Sequence, residues 1–458
     1  MRGQGTTRRD ALRAAGAGAL AVGAWPATTA SAGNVLAGGL RPELVSVTPE
    51  GFSAWWTSSA QADTVVRVAR ADGRGGVREL QLAAGQTVHA ATVEGLAPDT
   101  RYRYALYAGR RRMPTTLANP GTFRTLRRPR GALLARIAVV NDLHVGEGCS
   151  GTITELGGQS VPPCYRAPDY AHRMTAAALE EVRAAGPDLL VVNGDLTDRG
   201  RPDEVRRALE LVRGTGLPHA ITRGNHDRRL HEPGTPPDGD VLRALAFPDK
   251  APGDHLLTSV ARVGPRVGVI GLDSCDPESG SGRLDLGGQL GWLDARLQEL
   301  RAEGRTALVF LHHHVALQAN ATHPPPLTFG VGTDRAAIAF LKLLGRQRHV
   351  PLVMSGHTHR NYVARDALAP RTVFLENGAT KEYPAVWALL EVHEDGIVRT
   401  VHRAVTPFTR AWVQTSAQQV FGRQPEYTRG TLASRAFTLR TDRLSLGGSP
   451  RPSLLGPL

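Results

Sequence analysis

Five short clusters along the sequence combine carboxylates, carboxamides and imidazoles. They are Asp142-Leu143-His144, Asn193-Gly194-Asp195 with Asp198 close behind, Asn225-His226-Asp227, His312-His313-His314, and His357-Thr358-His359. These side chains are the oxygen and nitrogen donors that divalent transition metals prefer. Each cluster alone has an ordinary explanation, since Asp or Asn after a strand forms turns or caps helices. Asp198, ahead of Arg199-Gly200, reads that way. Turn chemistry does not explain all five, because every cluster follows an apolar run of strand character. A shared metal site does. No Ser or Cys nucleophile is evident, and Cys149, Cys164 and Cys275 lack the CxxC spacing of a thiolate site.

The elements that must position these groups are legible between them. Strands are predicted at LLARIAVVND, PDLLVVNGD, PHAITRGNHD (its start), RVGVIGLDS, TALVFLHHH, VPLVMSGHTH, RTVFLENGA and WALLEVHED. Helices are predicted at AHRMTAAALEEVRAAG, RPDEVRRALELVRGTG, LGGQLGWLDARLQELRAEG and RAAIAFLKLLGRQ. Apolar strands alternating with helices predict an α/β fold whose sheet faces are covered. Polar groups just past such strand ends line the ligand crevice. Asp142 and His144, like His357 and His359, stand at i and i+2, so strand alternation would place each pair on one face. Gly224 reads as the residue that lets the backbone turn sharply before Asn225.

In this order, D-x-H, G-D-x-x-D, G-N-H-D, a histidine pair after a strand and G-H-T-H resemble the signature of the calcineurin-like metallophosphoesterases over roughly residues 133–405. The resemblance implies a four-layer α/β/β/α sandwich. It implies two metal ions, one held by Asp142, His144 and His359, the other by Asn225, His312 and His357, with Asp195 bridging. Mn, Fe or Zn would suit such mixed donors. The activity implied is hydrolysis of phosphate monoesters or diesters by attack of a metal-bridging hydroxide. His226 would face the substrate as general acid or as a stabiliser of the transition state. Asp227 would orient His226 through its other ring nitrogen, or bond the local backbone. The bacterial cyclic-nucleotide phosphodiesterase branch of the family usually reads His-His-Pro after this strand, where His312-His313-His314-Val315 stands here, so His312 is the expected ligand and His313 the alternative. Asp198 stands where purple acid phosphatases carry a ligand Tyr, which argues against a tyrosinate–iron site. NGDLTDRG and LDSCDPESGSGRLDLGGQLGWLDARL (272–297) resemble the bacterial cyclic-nucleotide phosphodiesterase branch. A dedicated 3′,5′-cyclic-nucleotide phosphodiesterase is therefore an alternative to a broader phosphoesterase. A cell-wall binding protein with a vestigial metal site is the alternative from another class.

Residues 40–126 alternate with period 2, and Leu96, Pro98, Thr100 and Tyr102 match the tyrosine-corner turn. This stretch resembles fibronectin type III and immunoglobulin-like sandwiches, which implies a small all-β sandwich with Trp56 in its core. Residues 124–132 are basic and poor in apolar side chains, and read as a linker. Residues 406–458 lack strand–helix rhythm and form an extension of no assigned role. At the other end, Arg8-Arg9, a weakly apolar Ala/Gly run and Ala30-Ser31-Ala32 make residues 1–32 a twin-arginine signal peptide. The expected location is secreted or attached to the cell envelope. In that setting Cys149 and Cys164, inside the 145–170 insertion, are expected to pair. The insertion either caps the crevice or is a pinned surface loop. His323, before Pro324, sits in a loop that is solvent-exposed or reaches the pocket mouth.

The 458 residues carry a net charge of +13, almost all of it from arginine. The basic residues are scattered and form no block, so no nucleic-acid-binding domain is expected. The charge favours anionic partners or is compositional bias. No apolar run outside the leader is long enough to span a membrane. The expected partner is a small phosphate ester, and the sequence sets no oligomeric state.

Overall fold

The computed structural model describes residues 41–153, 159–228, 241–250, 256–275, 282–284, 288–315, 335–441 and 453–455. The leader expected over residues 1–32 and His323 lie outside these residues. Residues 39–458 form one compact unit.

The chain begins this unit with β1 (Glu43–Val47), β2 (Phe52–Arg70), β3 (Val77–Val93), β4 (Arg101–Ala108), β5 (Arg111–Arg112) and β6 (Thr122–Arg124), all in one six-stranded sheet. β2 runs unbroken for 19 residues. Its first half pairs with β1 and the end of β3, its second half with β4 and the start of β3. The register shifts between Thr57 and Val65. Phe52, Ala54 and Trp56 point into a core shared with Val66, Val68, Tyr104, Leu106 and Phe123. Trp55, on the opposite face, enters the main core instead. The Tyr102 hydroxyl accepts from the Ala97 amide at 2.8 Å, the bond a tyrosine corner makes.

The stretch read as a linker is pinned. The Leu126 amide donates to Thr48 O (3.0 Å), and the Gly131 amide to Asp395 Oδ1 (2.9 Å). Arg127 O accepts from Thr438 Oγ1 (2.6 Å).

Beyond it come β7 (Leu133–Val140), β8 (Ser150–Ile153), β9 (Gln159–Tyr165), α1 (Tyr170–Ala185), β10 (Leu189–Asn193), α2 (Pro202–Gly214) and β11 (His219–Thr222). Then follow α3 (Val241–Ala246), β12 (Ser259–Val263), β13 (Val267–Gly271), α4 (Gln289–Ala302), β14 (Thr306–Phe310), α5 (Arg335–Arg346) and β15 (Leu352–Ser355). The run closes with β16 (Tyr362–Arg365), β17 (Val373–Glu376), β18 (Trp387–His393) and β19 (Gly396–His402).

Two sheets result. One has the order β11-β10-β7-β18-β19, and the other β12-β13-β14-β15-β17-β16. Alternation along each strand explains the layers. Ile137, Val139, Leu189 and Val191 of the first sheet meet Val269, Leu308, Phe310 and Met354 of the second in a central core. Their neighbours point outward. Ala138, Val140, Leu190 and Val192 pack on Leu179, Val205 and Leu209 of α1 and α2. Ile270, Ala307 and Val309 pack on Leu297 of α4 and Phe340 of α5. This is the four-layer α/β/β/α arrangement expected.

The C-terminal stretch, which showed no rhythm, is integral to the fold. α6 (Pro407–Ser416), α7 (Gln419–Gly422), α8 (Gln424–Thr428) and α9 (Leu432–Arg435) lead to β20 (Phe437–Arg440). β20 pairs with β19 and with β21 (Ser453–Leu455), which extends the first sheet to seven strands. Cys149 and Cys164 form a disulfide across the base of the β8–β9 hairpin. Tyr165 of that hairpin donates to Gln418 O at 2.9 Å.

Candidate metal centre

All the clusters lie where strands of the two sheets stop. β7 ends at Val140, and Asp142 and His144 follow it with φ of 52° and 44°. Asp195, past β10, has φ 50°. His357 and His359, past β15, have φ of 68° and 55°. Left-handed backbone is unusual for such residues and clusters at functional sites. The pairs therefore converge through left-handed turns, and not through the strand alternation that their spacing suggested.

The turns are locked to each other by backbone bonds. The Leu143 and His144 amides both donate to Asp195 O, at 2.7 and 2.9 Å. The His357 amide donates to Asp142 Oδ1 at 3.0 Å. Gly224 does not make the turn expected of it, since its φ of −103° and ψ of 172° suit any residue. It is needed for space. A Cβ there would lie 2.1 Å from Asp195 Oδ1. At Gly194 a Cβ would meet His312 Nδ1 at 2.3 Å, and at Gly356 it would meet Asp142 Oδ2 at 2.8 Å.

Ligand atoms of Asp142, His144 and His359 lie within 4.8 Å of one another, as do those of Asp195, His312 and His357. Asp195 Oδ2 stands between the two groups, 3.4 Å from His144 Nε2 and 3.1 Å from His312 Nε2. Asn225 Oδ1 is 3.1 Å from His312 Nε2. All seven candidate ligands thus meet in one place. His313 belongs to neither group: its Nδ1 lies 2.9 Å from Ser274 Oγ, and its ring packs 4.6 Å from that of His357. Asp142, His144, Asp195 and His312 are buried, whereas Asn225, His226, His357 and His359 are half-buried and form the open side.

The electrostatics fit bound cations. His144 is buried, and among the described residues its Nδ1 has no hydrogen-bond partner and its Nε2 has only Asp195 Oδ2, at 3.4 Å, which is costly unless something else satisfies them. Burial, reinforced by the charges of Lys381 and His226, holds its pKa well below normal. Burial and the neighbouring His313 and His312 do the same for His357. Both rings are thus neutral, the form that ligates metal. Burial would raise the pKa of Asp195, but His312 and His226 hold it well below the usual carboxylate range. Burial raises that of Asp142. Burial would lower the pKa values of His312 and His359, but the Asp195 carboxylate raises the first to about 9 and the Asp142 carboxylate raises the second. Two buried carboxylates facing four imidazoles form a site suited to dications.

His226 follows Asn225 in a short turn. Its amide donates to Asp195 Oδ1 at 2.9 Å, and its Nδ1 lies 2.9 Å from Asp198 O. Asp227 does not orient it. The Asp227 carboxylate accepts from the amides of Gly224 (2.8 Å) and Thr197 (3.0 Å) and from Thr197 Oγ1 (2.9 Å). It staples two ligand-bearing turns together, which is the backbone alternative. Burial and the charge of Asp195 push its pKa up to about 7. Asp198 is not a helix cap, because Arg201 occupies that position.

Several supporting residues were given no role from the sequence, although Asn193, Asp273 and Gln289 lie in motifs it offered. Arg223 and Asp273 form a buried ion pair at 2.5 Å that anchors the chain ahead of Gly224. Gln289 bonds both backbone groups of Asp273 (2.7 and 2.9 Å). Asn193 O lies 3.2 Å from His312 Nδ1. Glu382 Oε1 lies 2.8 Å from His359 Nδ1.

A sequence profile described as calcineurin-like phosphoesterase matches residues 135–361. A protein of Synechococcus sp. named "Probable cyclic nucleotide phosphodiesterase" is 31% identical over 247 residues, covering 49% of this chain and 80% of that protein. The chain belongs to the calcineurin-like phosphoesterase family. It is accordingly a metal-dependent phosphoric ester hydrolase, which leaves no place for a binding protein with a vestigial site. A protein of Arcobacter nitrofigilis named "Probable glycerophosphodiester phosphodiesterase" is 28% identical over 174 residues, covering 38% of this chain and 57% of that protein. Among solved structures, a dimetal phosphatase from Danio rerio aligns with 60% of this chain and 98% of its own, at 16% identity and a TM-score of 0.45. In this chain the polar clusters follow the ends of strands in both sheets.

Proposed function

We propose that this chain is an exported phosphoesterase of broad range that hydrolyses small phosphodiesters, and monoesters less well, at a dinuclear metal centre. The observation that carries the proposal is Asp195 Oδ2, set between His144 on one side and His312 on the other. Asp142, His144 and His359 would hold one ion, and Asn225, His312 and His357 the other, with Asp195 shared. Bound there, the ions supply an acidified water and neutralise phosphoryl charge. The chain's own residues do the rest. The left-handed turns fix the donors before substrate arrives. His226, on the open side, keeps Nδ1–H against Asp198 O; as an imidazolium it would give the Nε2 proton to the leaving oxygen, returning to the neutral ring, or bind the phosphoryl group.

The diester preference rests on the names of the two relatives. The alternative, a dedicated 3′,5′-cyclic-nucleotide phosphodiesterase, is favoured by the Synechococcus relative. The 272–297 motif adds little to it, because Asp273 and Gln289 act as internal clamps. Export rests on the Arg8-Arg9 leader and on the Cys149–Cys164 disulfide, which suits an oxidising compartment. The N-terminal sheet is proposed to be a fibronectin III-like unit.

The test is metal analysis of the purified chain, with turnover measured on aryl monoesters, open diesters and cyclic nucleotides. Two ions per chain and faster turnover of open diesters are expected. Turnover confined to cyclic nucleotides would select the alternative. Full activity of metal-free protein in chelator would overturn both. Normal export after Arg8 and Arg9 are both changed to Lys would remove the twin-arginine proposal.

A further inference from the structure

Glu382 lies in the loop between β17 and β18, in the sequence Lys381-Glu382-Tyr383. Its carboxylate is buried, and its hydrogen-bond partners among the described residues are donors. Oε1 faces His359 Nδ1 at 2.8 Å. Oε2 accepts from Ser150 Oγ and, at 2.9 Å, from Gln419 Nε2. Lys381 Nζ stands 3.6 Å away and is itself paired with Glu147.

These partners come from distant parts of the chain. Ser150 opens the hairpin closed by the disulfide, and Gln419 opens α7 of the C-terminal extension. Gln419 also donates to Ser150 Oγ at 2.6 Å. α6 holds the backbone on either side of Glu382. Trp412 Nε1 donates to Lys381 O at 2.8 Å, and the Tyr383 amide donates to Ser416 Oγ at 3.0 Å.

The consequence for His359 is geometric. With Glu382 accepting from Nδ1–H, the imidazole is fixed in one tautomer and one rotation. Its Nε2 lone pair then points toward Asp142, whose Oδ1 is 3.5 Å distant. A carboxylate behind a ligating histidine also makes that histidine a better donor. The network has no other evident purpose near the centre.

We propose that Glu382 is a positioning residue for the ion shared by Asp142, His144 and His359, and that the C-terminal extension and the disulfide-closed hairpin serve the centre by holding its carboxylate. This inference rests on the dinuclear reading above. It assigns a task to residues 406–428 that their sequence does not suggest.

The test titrates metal-stripped protein with Mn(II) and reads two dissociation constants. Glu382→Ala should weaken one ion by roughly 10–100-fold and leave the other unchanged. His359→Ala should weaken the same ion. The double variant should bind it no more weakly than His359→Ala alone, because Glu382 acts through that ring. Glu382→Gln, whose amide oxygen can still accept from Nδ1, should lose less. Gln419→Ala should shift the same constant in the same direction. If Glu382→Ala does not fold, Glu382→Gln and Gln419→Ala carry the test. Unchanged constants in the variants, equal weakening of both ions, or additive losses in the double variant would overturn the proposal while leaving the dinuclear reading intact. Fewer than two ions on the unmodified protein would overturn both.

Discussion

Replacing Gly224 by Ala is the most direct probe of how closely the centre is built. The added Cβ would lie 2.1 Å from Asp195 Oδ1 and 2.2 Å from Asp195 N. Atoms this close must separate by roughly 1 Å, and overpacking of this kind costs about 1–3 kcal/mol. Neither side can yield freely. Asp195 O is bonded by two amides, and its Oδ1 by the His226 amide. The turn after Gly224 is stapled by Asp227. The displacement therefore falls on the carboxylate between the two ligand groups. Misplacing a reacting constellation by 1 Å can cost about 100-fold. kcat/KM on an aryl diester should fall by about that factor or more, with weaker retention of both metals and a lower Tm. Backbone conformation cannot explain such a loss, because Gly224 is extended. Gly291→Ala is the control. Nothing lies within 4 Å of its would-be Cβ, in the first turn of α4, so activity should be unchanged and stability unchanged or up by as much as roughly 1 kcal/mol. Wild-type kcat/KM and metal content in Gly224→Ala would refute the crowding argument.

Three further outcomes are expected. Asp195→Asn should abolish activity and lower the occupancy of both metals, whereas His357→Ala should mainly empty one site; elemental analysis separates them, and an Asn variant holding two ions normally would remove the shared role. His226→Ala should keep both metals and lose roughly 10²–10⁴-fold in rate on an alkyl ester, with less loss on a nitrophenyl ester whose leaving group needs no proton; equal losses would make His226 an electrostatic stabiliser. Burial, with the nearby Arg410 charge, pushes the pKa of His89 down to about 4, and burial alone does most of this for His349, also to about 4. Both would titrate near 6.5 when unfolded, so between those values the unfolded chain binds more protons. Their contribution is thus complete above pH 6.5 and is lost as pH falls toward 4, by up to roughly 1.4 kcal/mol per pH unit for each. Denaturant midpoints measured from pH 7 to 4 should fall accordingly, and His349→Gln should flatten the slope.

The polar clusters and apolar runs were legible in the sequence because both are local. Period and composition mark a buried strand, and a ligand must follow it within a few residues. That sufficed for the main strands and helices between Leu133 and His393, though not for β8, β9, α3, β12 and β16, and for naming the seven candidate ligands. Spacing also suggested why those ligands converge, and there the local argument failed. Asp142, His144, His357 and His359 meet through left-handed turns, which no i, i+2 pattern specifies. Gly224 looked like a hinge, but its reason is Asp195, a residue remote in sequence that occupies the volume a side chain would need. Asp227 looked like a partner of His226 because the two are adjacent, yet its bonds reach back to Thr197. The C-terminal extension showed no rhythm because its helices are short and its strand β20 is an addition to a sheet begun three hundred residues earlier. Glu382 was one acid among many until Ser150, Gln419 and His359 surrounded it. Local patterns thus name the donors and the strand ends that carry them. Which donors face one another, and which residues hold them, depends on the folded chain, because those contacts join segments whose separation along the chain carries no periodic signal.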